Sequence, residues 1–551
     1  MKKAAKLLAI LLALGMILSL GACGFTNQMS PGALFGVESI QPSDFDSPTA
    51  YYQAVELANL VAKLQNVVIP EAGNQASTEG EFLLALDQSL IDPYLINMVT
   101  SEVGFDLSWF RSVGLGFLVG TDGDLAQENL TLRVNGNDIV HLETIMDRSS
   151  FTEYVAVPEL NSASIALNLL DLISQNTSID RETLVDLLSG KIITPENITN
   201  LLGRYLPIIV NDIDKIEVAE GTVEAGGIES ACYIATVTID GETVLRLYKD
   251  VMTTALYDQE LETVVYYICR LTNNYYGTQE SFHADYQARI NDMLSDAEDA
   301  DPEDVDGALI MDVFVDDAGK VLGRSLKVIS EDELSALFSY VTAYDGNTMG
   351  VDATIGSYNK YSYTYEGETR GWEYQTVVSL SGSGEYNPAD GSFLGDYLLS
   401  LYKLDDYNGD RDEQTLNLFD VNVNGNLTET GFLGEVVFTP TEDLMNLLLN
   451  NLRGAPQPLV NLLKSLTLAF VNRGGDGFLD CACILRSNGQ DLLSLGLTAN
   501  AAEPFPISVP TNVTDVDTWS GSIGMASLNV ILNNLVAAGV PTEVLNAIMG
   551  G

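Results

Sequence analysis

Histidine is almost missing from this chain: 551 residues contain two, His141 and His283. Basic side chains are scarce as well, 26 Lys and Arg against 77 Asp and Glu, which leaves a net charge of −51. That balance excludes nucleic acid as a partner, because phosphate binding needs a basic patch. It favours solubility and holds the surface off anionic membranes. Motifs for common hydrolytic chemistry are absent too: no His-Glu-x-x-His, no Gly-x-Ser-x-Gly and no P-loop occur. Five cysteines in so long a chain do not make a disulfide scaffold.

The few histidines and cysteines read as structural. His141 alternates with Ile139, Glu143 and Ile145, opposite Val140, Leu142 and Met146, as a solvent-facing residue of a strand does. His141-Leu142-Glu143 is similar to the His-x-Glu of zinc deaminases, but their Pro-Cys-x-x-Cys partner is missing. His283 lies in a polar helix with no metal partner at i+4. Cys481 and Cys483 alternate with Leu479 and Leu485. Asn488-Gly489 then turns the chain, and Leu493, Leu495 and Leu497 supply a matching apolar face, so both cysteines are expected in a core. Cys232, in a strand, and Cys269, on a helix face with Leu261, Val264, Val265 and Ile268, allow either a disulfide or two buried thiols.

What is present begins with an anchor. Lys2, Lys3 and Lys6 precede an apolar run from Leu7 to Leu20, too short for a comfortable membrane span, and Leu20-Gly21-Ala22-Cys23 follows. This resembles the signal peptide and lipobox of bacterial lipoproteins. The resemblance implies cleavage before Cys23, diacylglycerol on its sulfur, and a chain tethered outside the cell membrane. Two acyl chains anchor stably where one does so only marginally.

The full chain is 46% apolar, enough for a large core. After a signal peptide (1–22) and a small, polar tether (23–45), an N-terminal α+β region is expected over 46–296. An acidic, base-free linker follows at 297–307, then a β-rich α+β region over 308–551. Ser47-Pro48 opens a helix with Leu57, Leu60, Val61, Leu64 and Val68 as its apolar stripe, and strands are expected from about 79 to 157. Short helices follow over 160–206, and more after Asp240-Gly241. Turn signals fall at Asp122-Gly123, Asn135-Gly136, Ala318-Gly319, Asp345-Gly346, Glu366-Gly367, Asp390-Gly391, Asn408-Gly409 and Asn424-Gly425. This cadence predicts an α+β fold: large antiparallel meander sheets with helices mainly on one face, in the manner of a half-barrel. Val134–Asn137 and Val423–Asn426 share a Val-Asn-Gly-Asn turn, which suggests an internal echo.

Two stretches are candidate sites. Asp405 to Glu413 resembles the start of a dockerin or EF-hand calcium loop, with Asp406, Asn408, Asp410 and Asp412 at alternate positions. Arg411 replaces the turn glycine and Asn417 stands where a bidentate acid belongs, so an acidic hairpin tip is the reading and calcium the one cofactor in view. Tyr361, Tyr363 and Tyr365 alternate on one strand, with Trp372 and Tyr374 on the next. Such a ladder either packs under a helix or loop or stays exposed to stack on sugar rings.

The functional expectation is a non-catalytic envelope lipoprotein with a binding or structural role, in its sharpest form an amphiphile or lipid carrier. A concave sheet with helices is similar to the LolA-like half-barrel carriers, and the whole resembles the large acidic lipoproteins of Gram-positive anaerobes. A carboxylate-based hydrolase of glycan or cell wall is the second expectation. An importer's substrate-binding subunit is the third, against which the hairpin cadence speaks.

Overall fold

The computed structural model describes residues 41–550 apart from 66–75, 105, 175–178, 180, 189–193, 273, 276, 303–306, 331–332, 366–367, 388, 429–430, 453 and 476–477. The signal segment, Cys23 and the tether up to residue 40 lie outside these residues, as does the turn expected at Glu366-Gly367. Thirteen α-helices and twenty strands are described, and the class is α+β on a large antiparallel meander.

The chain opens with α1 (Pro48–Gln65) and β1 (Ala76–Leu86); α2 (Pro93–Val103) then precedes β2 (Ser112–Asp122), β3 (Leu125–Val134), β4 (Asn137–Asp147), β5 (Thr152–Ala156) and β6 (Ser164–Asn168). Next come α3 (Leu169–Ser174), α4 (Arg181–Leu188) and α5 (Pro195–Asn211), the hairpin β7 (Ile216–Ala225) and β8 (Ile228–Ile239), then α6 (Gly241–Tyr257), α7 (Gln259–Leu271) and α8 (Gln279–Glu298). Seven strands follow: β9 (Ala308–Val315), β10 (Val321–Ser330), β11 (Glu333–Asp345), β12 (Thr348–Tyr365), β13 (Glu368–Tyr386), β14 (Ser392–Tyr407) and β15 (Asp410–Thr428). The last part holds β16 (Gly431–Pro440), α9 (Glu442–Asn451), α10 (Gln457–Ser465), β17 (Leu466–Asn472), β18 (Phe478–Ser487), β19 (Gln490–Ala501), β20 (Val513–Thr514), α11 (Val516–Ser522), α12 (Met525–Ala537) and α13 (Thr542–Gly550).

Local chemistry explains most of these boundaries. The Ser47 hydroxyl accepts the Ala50 amide at 3.1 Å ahead of Pro48, and Asp240 accepts the Thr243 amide at 3.1 Å to start α6. Asn135-Gly136, Asn408-Gly409 and Asn488-Gly489 have positive φ at both residues, the type I′ geometry that suits a two-residue hairpin. Two expectations are corrected. The strand run read over 79–157 is interrupted by α2. Asn424-Gly425 is not a turn, because both residues lie inside β15 and pair with Leu394 and Phe393 of β14. A long ladder of hydrogen bonds outweighs a two-residue propensity there, and with it the suggested echo of Val134–Asn137 is lost.

The chain folds into two compact units. Apart from a short exchange around 177–185, the described residues of the first lie within 41–65 and 186–432, and those of the second within 76–176 and 433–550. Residues 299–302 and 307 of the acidic stretch sit inside the first unit, between α8 and β9, and β9 pairs with β8 across them (Tyr233↔Val315 to Ile239↔Leu309).

In the first unit β7 to β15 form a nine-stranded meander in which every neighbour is consecutive and antiparallel. Tyr51, Tyr52 and Val55 of α1 pack on Val237 and Ile239 of β8 and Met311, Val313 and Val315 of β9, all buried. Each such side chain contributes about 1.5–3 kcal/mol of burial. The side chains of the stripe expected further along α1 lie outside the described ones. The β7–β8 hairpin folds over β11 and β12: the Gly226 amide donates to Asp352 at 3.1 Å and Ser230 Oγ to the Tyr344 carbonyl at 2.8 Å. A Cβ on Gly350 would stand 1.8 Å from the Ala225 carbonyl oxygen, so only glycine permits this backbone approach.

Burial raises two carboxyls in this unit, Asp212 and Asp316. Burial, reinforced by the Asp250 carboxylate beside it, pushes Asp212 up to about 6. The folded state therefore holds a proton that the unfolded chain releases near its ordinary 3.8. In that window the native state binds more protons, so stability falls as pH rises from about 4 to about 6. Asp212→Asn is expected to flatten this slope and raise the urea midpoint near neutral pH. A variant with an unchanged slope would refute the assignment.

The second unit is closed by its chain ends. β1 pairs on one side with β19 (Thr78↔Ala501 to Leu86↔Leu493) and on the other with β2. The order is β16-β17-β18-β19-β1-β2-β3-β4-β5-β6-β20, antiparallel throughout except for the short β6–β20 edge. Among the described residues no helix is long and apolar enough to cross a membrane.

Candidate functional site

Strand alternation gives the second unit's sheet two different faces. One carries a row that crosses five strands, Leu132↔Leu115↔Phe82↔Leu497↔Cys481, and beside it Leu84↔Leu495↔Cys483↔Phe470. In a filled domain this face would be the core. Here Leu495 is 57% exposed, Phe82 48% and Phe470 46%, and Leu115 and Leu132 are exposed as well. Helices α12 and α13 cover only one end, where Ile531, Leu532, Leu535, Val544 and Leu545 pack on Val113 and Val134. On β17 and β18 the buried residues, Ala469, Val471 and Ile484, belong to the opposite face. Helices of the same unit also leave apolar side chains exposed: Met98 and Val99 of α2, Leu447 and Leu448 of α9, Met525 and Leu528 of α12.

The other face carries a polar row across β1–β4. Glu81, Gly116, Thr131 and His141 lie in register across β1–β4, and they border a hollow of about 460 Å³. Arg133 bridges Glu81 (3.1 Å) and Asp138 (2.8 Å), while His141 Nδ1 meets Glu159 at 2.5 Å. Burial raises Glu159, but hydrogen bonds from the His141 ring and amide bring its carboxyl below the ordinary value. His141 is thus a strand residue held by an acid partner, as a surface histidine is. His283 is likewise paired, with Glu262 at 2.8 Å.

In the first unit a second hollow, of about 710 Å³, borders both sequence candidates, but pairing sets Tyr361 and Trp372 on the face opposite Lys360, Glu373 and Asp406. Pairing between β11 and β12 ends at Ala336↔Ser357, but β12 continues to Tyr365, paired only with β13. Tyr361, Trp372 and Tyr407 lie directly opposite one another across β12, β13 and β14. Tyr361 is 59% exposed and Trp372 42%, so these two rings do not pack beneath a helix or loop. Trp372 Nε1 donates to Asp405 at 2.6 Å, and its ring meets Tyr407 edge to face at 5.8 Å. The side chains of Tyr363 and Tyr365 lie outside the described ones.

The calcium-like stretch is the hairpin tip between β14 and β15. Register places Asp410 opposite Tyr407 and Asp412 opposite Asp405, on one face, whereas Asp406 pairs with Arg411 on the other. Asp406 accepts the Gly409 amide at 2.8 Å and Asn408 accepts the Gly371 amide at 2.7 Å. These oxygens shape the turn and clamp it to β13. No cluster of three metal-ligating side chains is found among the described residues.

All four cysteines after Cys23 are free thiols. Cys232 is buried with Val223 and Leu322, Cys269 joins the α6–α8 cluster around Tyr266, and no disulfide links them. Cys481 and Cys483 do pair with Leu497 and Leu495, as their spacing implies, yet they line an open face rather than a closed core. Phe82, Leu115 and Phe470 were not singled out in the sequence. Their alternation was the available signal, and it marks an apolar face without saying what covers it.

No family model matches the chain, and no curated protein matches it. Among solved structures it is compared with a double mutant of the vaccine antigen Transferrin Binding Protein B from Haemophilus parasuis: 7% identity, 79% of this chain and 77% of that one covered, TM-score 0.09. At that TM-score nothing about this chain follows from it.

Proposed function

We propose that this chain is a lipid-anchored, extracytoplasmic binding protein that carries an amphiphile on the apolar face of its second unit. The observation that carries the reading is the exposure of Leu495, Phe82 and Phe470 on a face that alternation reserves for a core. Isolated exposed apolar residues are ordinary, but a contiguous apolar face across five strands marks a binding surface. Cys23 supports the compartment: a diacylglyceryl anchor would hold the carrier at the bilayer its ligand leaves or enters. No catalytic constellation is invoked, and the strong acidity leaves apolar contact as the natural mode of recognition.

The test is native mass spectrometry of the body, residues 24–551, purified from its own host. A co-purifying lipid or related amphiphile is expected. Cys481 and Cys483 make the measurement local, since both half-buried thiols sit in register with Leu497 and Leu495. Their alkylation by N-ethylmaleimide should slow when the amphiphile is bound. Cys232, whose thiol burial pushes up to about 11, should stay unreactive in both states. A clean apo mass that persists after incubation with envelope lipids, with unprotected Cys481 and Cys483, would defeat the reading.

A further inference from the structure

The sheet of the first unit has a free edge. β11 leaves β12 after Ala336↔Ser357, and β12 runs on to Tyr365 with β13 as its one partner among the described residues. Asn359, Lys360, Tyr361 and Ser362 are exposed in succession, so both faces of this stretch meet solvent. The ladder on β13 shows which backbone groups are left over. Gly371 turns both of its own toward β14: its amide meets the Asn408 side chain at 2.7 Å, and its carbonyl accepts the Asn408 amide at 3.0 Å. Alternation then turns Trp372 and Tyr374 toward β12, and their partners Tyr361 and Asn359 toward β13. Lys360 and Ser362 therefore present N–H and C=O outward, away from β13. We infer that this edge takes up an extended, basic segment of a partner protein, which adds to β12 as a further strand.

Edges that stay solvated are blunted by proline, a bulge or a free lysine. β12 contains no proline, its register with β13 is unbroken from Thr348↔Glu385 to Tyr365↔Glu368, and Lys360 is held by Glu333 at 2.7 Å. The hollow of about 710 Å³ lies along this edge. It is bordered by Lys360 and Ser362 of β12 and by Ser330, Glu333 and Ser335 at the β10–β11 end, in the lane where β11 would have continued. Backbone pairing supplies affinity in such an addition, and the two faces of the sheet supply specificity. Every second residue of the guest lies on the Lys360 face and the others on the Tyr361 face. On the Lys360 face, Glu333, Glu373, Asp406 and Glu413 outnumber Lys360 and Arg411, which favours lysine or arginine in the guest. On the other, the exposed rings of Tyr361 and Trp372 offer apolar and cation–π contact. A second copy of this chain, at a net charge of −51, and the tether at 23–45, which has no Lys or Arg, both lack that complementarity.

The experiment is a fluorescence-anisotropy titration of the full-length chain, in a zwitterionic detergent, with the labelled peptide Lys-Phe-Lys-Val-Lys-Phe-Lys-Val-Lys. This peptide is expected to bind, and its counterpart with Glu for every Lys is not. With lysines on the Lys360 face, the lysine amides are the ones that point at β12. N-methylation of those amides should weaken binding at least about tenfold, whereas N-methylation of the Phe and Val amides, which point to solvent, should not. Ser362→Pro removes an outward N–H without touching the β13 ladder, so it should weaken binding to the same extent with an unchanged thermal melt. If that variant fails to fold, the two methylated peptides decide the matter on the natural chain. No binding, or equal binding of the lysine-methylated peptide, would overturn the proposal, the latter in favour of charge attraction alone. Equal binding by folded Ser362→Pro would overturn it as well. A dimer of the unliganded chain that Ser362→Pro abolishes would give the edge to a second copy, and tighter peptide binding after deletion of residues 24–40 would give it to the tether; either result overturns the partner.

Discussion

Arg324→Ala is expected to destabilise the first unit by about 3–5 kcal/mol, the usual consequence of leaving one member of a buried ion pair unmatched. Arg324 lies on β10 with only 4% of its side chain exposed, and its two terminal nitrogens meet Glu56 of α1 at 2.5 and 3.0 Å. This fork-on-carboxylate geometry joins α1 to the sheet beside Tyr52, whose phenol burial, reinforced by Glu56, pushes well above its ordinary value. Removing the guanidinium leaves a mostly buried carboxylate without its partner, so the penalty exceeds the net worth of the pair. The double variant Arg324→Leu, Glu56→Leu should therefore recover most of the loss, because two apolar side chains tolerate the site better than one charge. Urea unfolding of the two single variants and the double variant measures this coupling. Additive losses would show that the pair is solvated and does not fasten the helix.

The parts of this fold that were legible in the sequence are those decided by nearest neighbours. Ser47-Pro48 and Asp240-Gly241 start helices because their oxygens reach amides two or three residues on, whatever the rest of the chain does. Asn135-Gly136 and Asn408-Gly409 turn because both residues accept positive φ. Asn424-Gly425 carries the same propensity and does not turn, since β14 extends to Ser392 and offers those residues a complete ladder. That outcome depends on a partner strand, which no local signal encodes. The pairing of β1 with β19, which joins the two ends of the second unit, was out of reach for the same reason. So was the α2 helix inside a run read as strands.

The candidate sites divide along the same line. Alternation placed Tyr361 on one strand and Trp372 on the next. The register that sets them opposite each other and adds Tyr407, and the Asp405 hydrogen bond that pins the indole, exist only once three strands are paired. Spacing made Asp406, Asn408, Asp410 and Asp412 look like one set of ligands, and strand pleating then sent Asp406 to the face opposite Asp410 and Asp412.

Leu495→Asp separates a ligand face from a core more sharply than any other change at the apolar face. Truncating a leucine in a filled core costs about 2–5 kcal/mol, and burying a charge there costs more. At a site that is 57% exposed the apo protein should lose no more than about 0.5 kcal/mol, as surface substitutions do. The loss should instead appear in the liganded state. An amphiphile present at about a thousand times its dissociation constant adds about 4 kcal/mol to the form that binds it. Thermal melts of lipid-loaded and delipidated protein should therefore be well separated for the natural sequence and should coincide for Leu495→Asp. Phe82→Asp, one strand away on the same face, should behave alike. A large drop in apo stability would mean that Leu495 belongs to a closed core and that the face binds nothing. An undiminished lipid-induced shift in both variants would place the amphiphile elsewhere on the chain. Only intact apo stability combined with a lost lipid response fits a carrier, because only there does the side chain meet its apolar partner in the ligand and not in the protein.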